Sequence, residues 1–97
     1  MSSHPTLPAP ADGVVFQALD DGAVLFSPVA ELYFGLNHVG ARIWELLTPD
    51  GRPLDELCAR LHESYPDADR DTLRRDVRDL VDRLAAEGLV TPVPPPA

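Results

Sequence analysis

Seven residues, Glu31-Leu-Tyr-Phe-Gly-Leu-Asn37, run without a break into His38-Val-Gly-Ala-Arg-Ile-Trp-Glu-Leu-Leu47. In the first stretch Leu32, Phe34 and Leu36 alternate with Glu31, Tyr33 and Gly35, the two-residue period of a strand with one face on a core. At Asn37 the period changes. Val39, Ile43, Leu46 and Leu47 recur at helical spacing, and the single Trp, Trp44, lies beside that stripe. Asn37 suits the change because its side chain can accept hydrogen bonds from backbone amides two or three residues on. A strand that becomes a helix with no linker leaves few folds open. The preceding residues must supply the other strands, and the following ones must cover the sheet.

Both requirements are met. Val14 to Leu19 reads as a first strand, rich in β-branched and aromatic residues. Asp20-Asp21-Gly22 is a hairpin-type turn and Ala23 to Phe26 a second strand, broken by Ser27-Pro28. Glu31 to Leu36 is the third. After the first helix, Thr48-Pro-Asp-Gly51 forces a turn and Pro53 suits the first position of a second helix. That helix carries Leu54, Leu57, Cys58 and Leu61 on one stripe and ends at Tyr65-Pro66. Asp67 or Asp69 caps a third and longest helix with a core stripe of Leu73, Val77, Leu80 and Leu84, Val81 on its flank, and Gly88 as its stop. Leu89-Val90 then folds back as a short strand or a hydrophobic clasp. The expected fold class is α+β, an N-terminal three-stranded antiparallel sheet followed by three helices.

At 97 residues the chain holds one domain and one small core. Seven of its eleven prolines lie near the ends, among them Pro5, Pro8, Pro10 and Pro92. Residues 1–13 and 92–97 are therefore expected to be flexible Pro-rich tails around a domain over 14–91. A net charge of -8 disfavours phosphate backbones as partners. A lone cysteine makes no internal disulfide and fits a reducing cytoplasm. No stretch reads as a signal peptide or as long enough to span a bilayer.

Candidates for covalent or metal chemistry are few. His4, His38 and His62 match no local zinc spacing, so no metal or cofactor is expected. Cys58 occupies a core position of an amphipathic helix, where cysteine acts as a small hydrophobe. No Ser stands in a nucleophile elbow and no Gly-rich phosphate loop is present. The acids of the third helix interleave with Arg70, Arg74, Arg75, Arg78 and Arg83, as on a solvated, ion-paired face. Asp76 differs, because it flanks the apolar stripe and could reach a groove. Tyr33 has two readings: an exposed cross-strand aromatic, or, with Gly35, part of an open edge that accepts another strand. The chain is not expected to be an enzyme.

Tyr33-Phe-Gly-Leu-Asn37, then Gly40, Ile43-Trp44, the Asp50-Gly51 turn, Leu54-x-x-Leu57, Asp76-Val77-x-x-Leu80 and Glu87-Gly-Leu-Val90 occur together and in order. Over residues 14 to 91 this pattern resembles the PqqD-like peptide-recognition domains, the precursor-recognition elements of ribosomally made, post-translationally modified peptides. Within that family, Leu36-Asn37-x-x-Gly40-x-x-Ile43-Trp44 is similar to the standalone recognition proteins of lasso-peptide biosynthesis. The resemblance implies a winged-helix-like arrangement and a non-catalytic adaptor. Its partners would be the leader region of a precursor peptide, a leader peptidase and a macrocyclase. The leader would add as a strand to the third strand and pack against the third helix.

Carried onto this chain, the strand contacts would fall on Glu31, Leu32, Tyr33, Phe34 and Gly35. The helix contacts would fall on Val77, Leu80 and Val81, with Leu73 and Arg74 near one end. A second arrangement stays open, with Val77 and Leu80 in the core and Arg74, Arg78 and Val81 as the wall. The rival functions are a PqqD-like peptide chaperone in a radical-enzyme or quinone-cofactor pathway, and a winged-helix DNA-binding protein. The acidic balance speaks against the last. An uncovered strand edge also allows a weak homodimer beside the monomer.

Overall fold

The computed structural model describes residues 6–93. Pro5, His4 and Pro94 to Pro96, which enter the expectations above, lie outside the described residues. The elements in chain order are β1 (Ala9–Pro10), β2 (Val15–Leu19), β3 (Gly22–Ser27), β4 (Leu32–Leu36), α1 (His38–Leu46), α2 (Leu54–Ser64), α3 (Arg70–Ala86) and β5 (Val90–Thr91). The fold is mixed α+β, with the three-stranded antiparallel sheet and three helices that the periodicities predict.

The sheet order is β2-β3-β4, so β3 is central and β4 lies at one edge. Leu19 pairs with Gly22 across the two-residue turn, and Ala23 to Ser27 pair in reverse order with Leu36 to Leu32. Gly22 has φ +147°, and a Cβ there would run into the Leu36 carbonyl oxygen. Ala23, Leu25 and Ser27 face inward and are buried, while Val24 and Phe26 face outward. Ser27 is the one buried polar residue in this set, and its hydroxyl accepts from the Ala30 amide at 3.3 Å. β4 begins at Leu32 rather than Glu31. Glu31 has φ +52°, the left-handed conformation of a turn residue, so it closes the β3–β4 loop instead of joining the ladder.

Asn37 caps α1 as its chemistry predicts, its side-chain oxygen accepting from the Gly40 amide at 2.7 Å. At the other end the Arg52 guanidinium donates to the Leu46 carbonyl at 2.7 Å, satisfying an acceptor the helix leaves free. Pro53 stands at the N-cap of α2, one position before the expected one. Asp69, not Asp67, caps α3, accepting from the Thr72 amide at 3.1 Å. Gly88, with φ +75°, ends α3. There the Leu89 amide donates to the Leu84 carbonyl and the Gly88 amide to that of Ala85, both side chains of the Leu84–Leu89 pair being fully buried. Leu25, Ile43, Leu57, Leu61, Val77, Leu84 and Leu89 form the centre of the core, between sheet and helices.

The N-terminal segment departs from expectation. Residues 6–11, read as part of a flexible tail, pack as an ordered strap. Leu7 and Ala9 are buried, the Leu7 amide donates to the Arg52 carbonyl, and the Ala11 amide donates to that of Leu89. Ala9–Pro10 pairs antiparallel with Val90–Thr91, so the fold-back at Leu89-Val90 is a strand whose partner is the chain's own beginning. The physical reason is alternation. Leu7 and Ala9 are two residues apart and share one side of an extended chain, and the neighbouring prolines favour that extension over helix.

Candidate functional site

Among the described residues both outer strands of the sheet leave an edge unpaired, and β4's edge stands beside α3. The two-residue turn makes Leu19 and Gly22 a hydrogen-bonded pair, and the ladder alternates from there. β3 therefore meets β4 through Ala23–Leu36, Leu25–Phe34 and Ser27–Leu32. The inward turn of the Leu36 carbonyl, which a Cβ on Gly22 would strike, agrees with this alternation. The peptide groups of Tyr33 and Gly35 consequently point to the open side. Their side-chain positions lie on the outer face of the sheet, and both residues are exposed, Tyr33 at 71%.

On the inner side of this edge lies a cleft of about 260 Å³, lined by Asn37, Val39, Gly40 and Ile43 from the start of α1 and by Asp76, Asp79, Leu80 and Arg83 from α3. The four α3 residues follow i, i+3, i+4, i+7 spacing and form one stripe. Arg83 closes the gap to β4, its guanidinium carbon 5.2 Å from the centre of the Phe34 ring, within range of a cation–π contact. The cleft thus joins an apolar floor (Val39, Ile43, Leu80, with Phe34 at its margin) to an ionic rim. A second strand laid along β4 would find hydrogen-bonding groups at Tyr33 and Gly35 and a side-chain cleft against α3.

The residues that the resemblance nominates are only partly brought together. Leu32 to Gly35 lie on the edge strand and Glu31 just before it. Of the helix set, Leu80 alone lines this cleft. Leu73 and Val77 are buried in the core. Arg74 and Val81 lie on the other flank of α3, with Arg78 and Asp82, around a separate cleft completed by Thr6, Leu7, Pro8 and Leu54. Arg74 is engaged there, bonded to Asp55 of α2 at 2.6 Å. The alternative wall of Arg74, Arg78 and Val81 therefore faces the N-terminal strap, not β4. Asp79, Arg83, Asn37 and Val39 line the cleft without a sequence signal that marks them as peptide contacts, whereas Asp76, which flanks the apolar stripe, does reach it.

Cys58 lies half-buried between α2 and α3, beside Arg74. Burial pushes its thiol above the ordinary range, against the pull of the Arg74 guanidinium, so it is protonated at neutral pH. Among the described residues no group of three His, Cys, Asp or Glu side chains is placed to hold a metal ion. No described helix is long and apolar enough to cross a membrane.

No curated protein matches this chain. The solved structure of TbiB1 in complex with the TbiA(beta) leader peptide matches it with a TM-score of 0.74 and 36% identity, over 90% of this chain and 99% of that one. The family model described as coenzyme PQQ synthesis protein D (PqqD) matches residues 22–90, from the start of β3 to β5 and across the whole cleft. On that match, covering well over half its length, the chain belongs to the PqqD family.

Proposed function

We propose that this protein is a non-catalytic adaptor that captures the leader segment of a ribosomally made precursor peptide and presents the rest of that peptide to processing enzymes. One observation carries the reading: an edge strand with outward peptide groups at Tyr33 and Gly35 stands beside the α3 cleft, in a chain similar over nearly its whole length to one solved with a leader peptide. The bound leader extends the sheet as a strand on β4. Main-chain hydrogen bonds set its register and the cleft reads alternate side chains. Holding the leader raises the effective concentration of the core peptide at a peptidase and a macrocyclase. The Leu36-Asn37-x-x-Gly40-x-x-Ile43-Trp44 signature favours a lasso-peptide pathway, working in the cytoplasm. The PqqD family match supports a second reading, in which the same edge serves a quinone-cofactor or radical-enzyme pathway.

Fluorescence anisotropy tests the proposal. A labelled leader from the precursor peptide encoded nearest this protein is titrated with it, and the TbiA(beta) leader serves as a second probe. Saturable binding that persists at moderate salt and weakens in an edge-strand variant supports the adaptor. Absence of binding by the folded protein sinks it.

A further inference from the structure

Of the chain's six glycines, Gly35 has the least local reason to be one. Gly13, Gly22, Gly51 and Gly88 adopt positive φ, and a Cβ on Gly40 would press within 3.2 Å of the Asn37 side chain. Gly35 has neither feature, since nothing lies within 4 Å of the position its Cβ would take. It sits inside a strand, where glycine forfeits backbone entropy and packing. The unliganded fold leaves open space for a Cβ there.

Strand addition at the edge does not by itself call for the glycine. An added strand lies beside β4 in the plane of the sheet, at the usual interstrand spacing, and every residue type tolerates such a neighbour. What glycine alone provides is room on the face. On the outer face, Gly35 is paired across the sheet with Val24, which is half-buried. Tyr33, two residues earlier on the same face, leans on its own partner Phe26, with ring centroids 4.7 Å apart. The result is a notch open toward the edge, with Gly35 as its floor, Val24 beyond it and the Tyr33–Phe26 pair as one wall.

The peptide groups of Gly35 point to the open edge, so the bound residue opposite it forms a hydrogen-bonded pair and shares its face. We infer that this notch is a second, outward subsite of the peptide site, which takes a large apolar side chain, aromatic by preference, from the leader residue paired with Gly35. The inference rests on the adaptor reading above. An aromatic ring reaching across a strand glycine covers otherwise bare backbone and gains the Val24 and Tyr33 surfaces. The leader is thereby read from both faces at once: residues of one parity by the α3 cleft, residues of the other by the Gly35 notch. It also gives a use to an outer face on which Tyr33 is 71% and Val15 50% exposed.

Size exchange between protein and peptide tests this. Anisotropy titrations use the labelled leader from the nearest encoded precursor, each of its large apolar residues replaced in turn by alanine, against wild type, Gly35→Ala and Gly35→Val. Gly35→Val should melt at or above wild type, because its side chain enters open space in a strand. It should bind the parent leader about tenfold more weakly. One leader residue, off the parity that enters the α3 cleft, should lose about tenfold on alanine replacement with wild type and much less with Gly35→Val. On wild type alone, affinity should rise through Ala, Leu and Phe at that residue, which serves as the readout should Gly35→Val fold poorly. Parent affinity within twofold for Gly35→Val, losses that simply multiply, or a size series that is flat would each overturn the notch while leaving the adaptor intact. A folded wild type that binds no leader overturns both.

Discussion

The two flanks of α3 carry similar residues and stand in opposite situations. On one flank Asp76, Asp79, Leu80 and Arg83 border a cleft beside the open β4 edge. On the other, Arg74, Arg78, Val81 and Asp82 border a cleft of about 320 Å³ that the strap residues Thr6, Leu7 and Pro8 help to line. Each has one apolar residue, and each mixes Asp with Arg. What separates them is the neighbour. The strap side is closed by the chain's own N-terminal segment, tied down through Leu7 to Arg52 and through Ala11 to Leu89. The β4 side has unpaired peptide groups and no segment of the described chain laid along them. A strand-binding surface is identified by the backbone that remains unpaired, more than by the composition of the helix beside it.

The sharpest break of this comparison is at Leu7. If the strap is structural, Leu7→Ala removes a buried side chain and should cost about 2 kcal/mol. That corresponds to a melting point lower by roughly 8–16 °C for a domain of this size. Thermal unfolding followed by circular dichroism checks it. An unchanged midpoint would mean that residues 6–11 contribute nothing and that the Val81 flank is open after all. Next in size is Tyr33→Pro. Its amide points away from β3, so proline removes an edge donor without breaking the β3–β4 ladder. Leader affinity should fall about 30-fold, against a few-fold at most for Tyr33→Ala, with the melting point nearly unchanged in both. Equal losses in the two variants would place the recognition in the phenol and not in the strand edge.

Much of this architecture is legible in the residues, and the limits of that legibility are specific. The alternation from Leu32 to Leu36 and the helical stripes of Ile43–Leu46–Leu47, Leu54–Leu57–Leu61 and Leu73–Val77–Leu80–Leu84 are one-dimensional signals, and each element formed where they occur. The strap was missed because proline counts outweigh a two-residue alternation, and because its partner at Val90 lies 80 residues away, beyond any local period. The side of α3 that faces β4 stays open in the sequence for a related reason. A helical wheel separates the core stripe from its two flanks, but the flanks of Leu80 are symmetric until tertiary packing places the sheet beside one of them. Asp76 was singled out only because it adjoins the stripe. Arg83 carried no signal, since its contact with Phe34 joins residues 49 positions apart.

Two smaller effects sharpen the comparison. Asn37→Ala removes the α1 cap at the mouth of the β4 cleft and should cost about 1 kcal/mol, a melting shift of several degrees, readable in the same thermal scans. Arg83→Glu and Arg78→Glu are a matched pair, one on each flank. Arg83→Glu loses the contact over Phe34 and adds a third acid to a rim that already holds Asp76 and Asp79. It should change leader affinity several-fold, in a direction set by the leader's local charge, whereas Arg78→Glu should leave affinity within twofold. A larger change at Arg78 would move the peptide to the strap side.

The smallest effect is expected at Cys58, and it separates a buried thiol from a working one. Burial raises its pKa, and Arg74 only partly opposes that. A thiol whose folded pKa lies above its unfolded value favours folding below the unfolded value, and that contribution is lost as pH rises through the folded one. Its stabilising share is therefore constant through neutral pH and declines only on the alkaline side. Alkylation by iodoacetamide should accordingly be slower in the native protein than in urea at pH 7.5, and should accelerate as pH is raised past the ordinary thiol range. Cys58→Ala should bind the leader as wild type does, because Cys58 faces the cleft between α2 and α3, on the strap side of the helix with Arg74 and away from β4. Native alkylation as fast as unfolded, or a Cys58→Ala variant with lost binding, would return that cleft to consideration as a functional surface and dissolve the contrast between the two flanks.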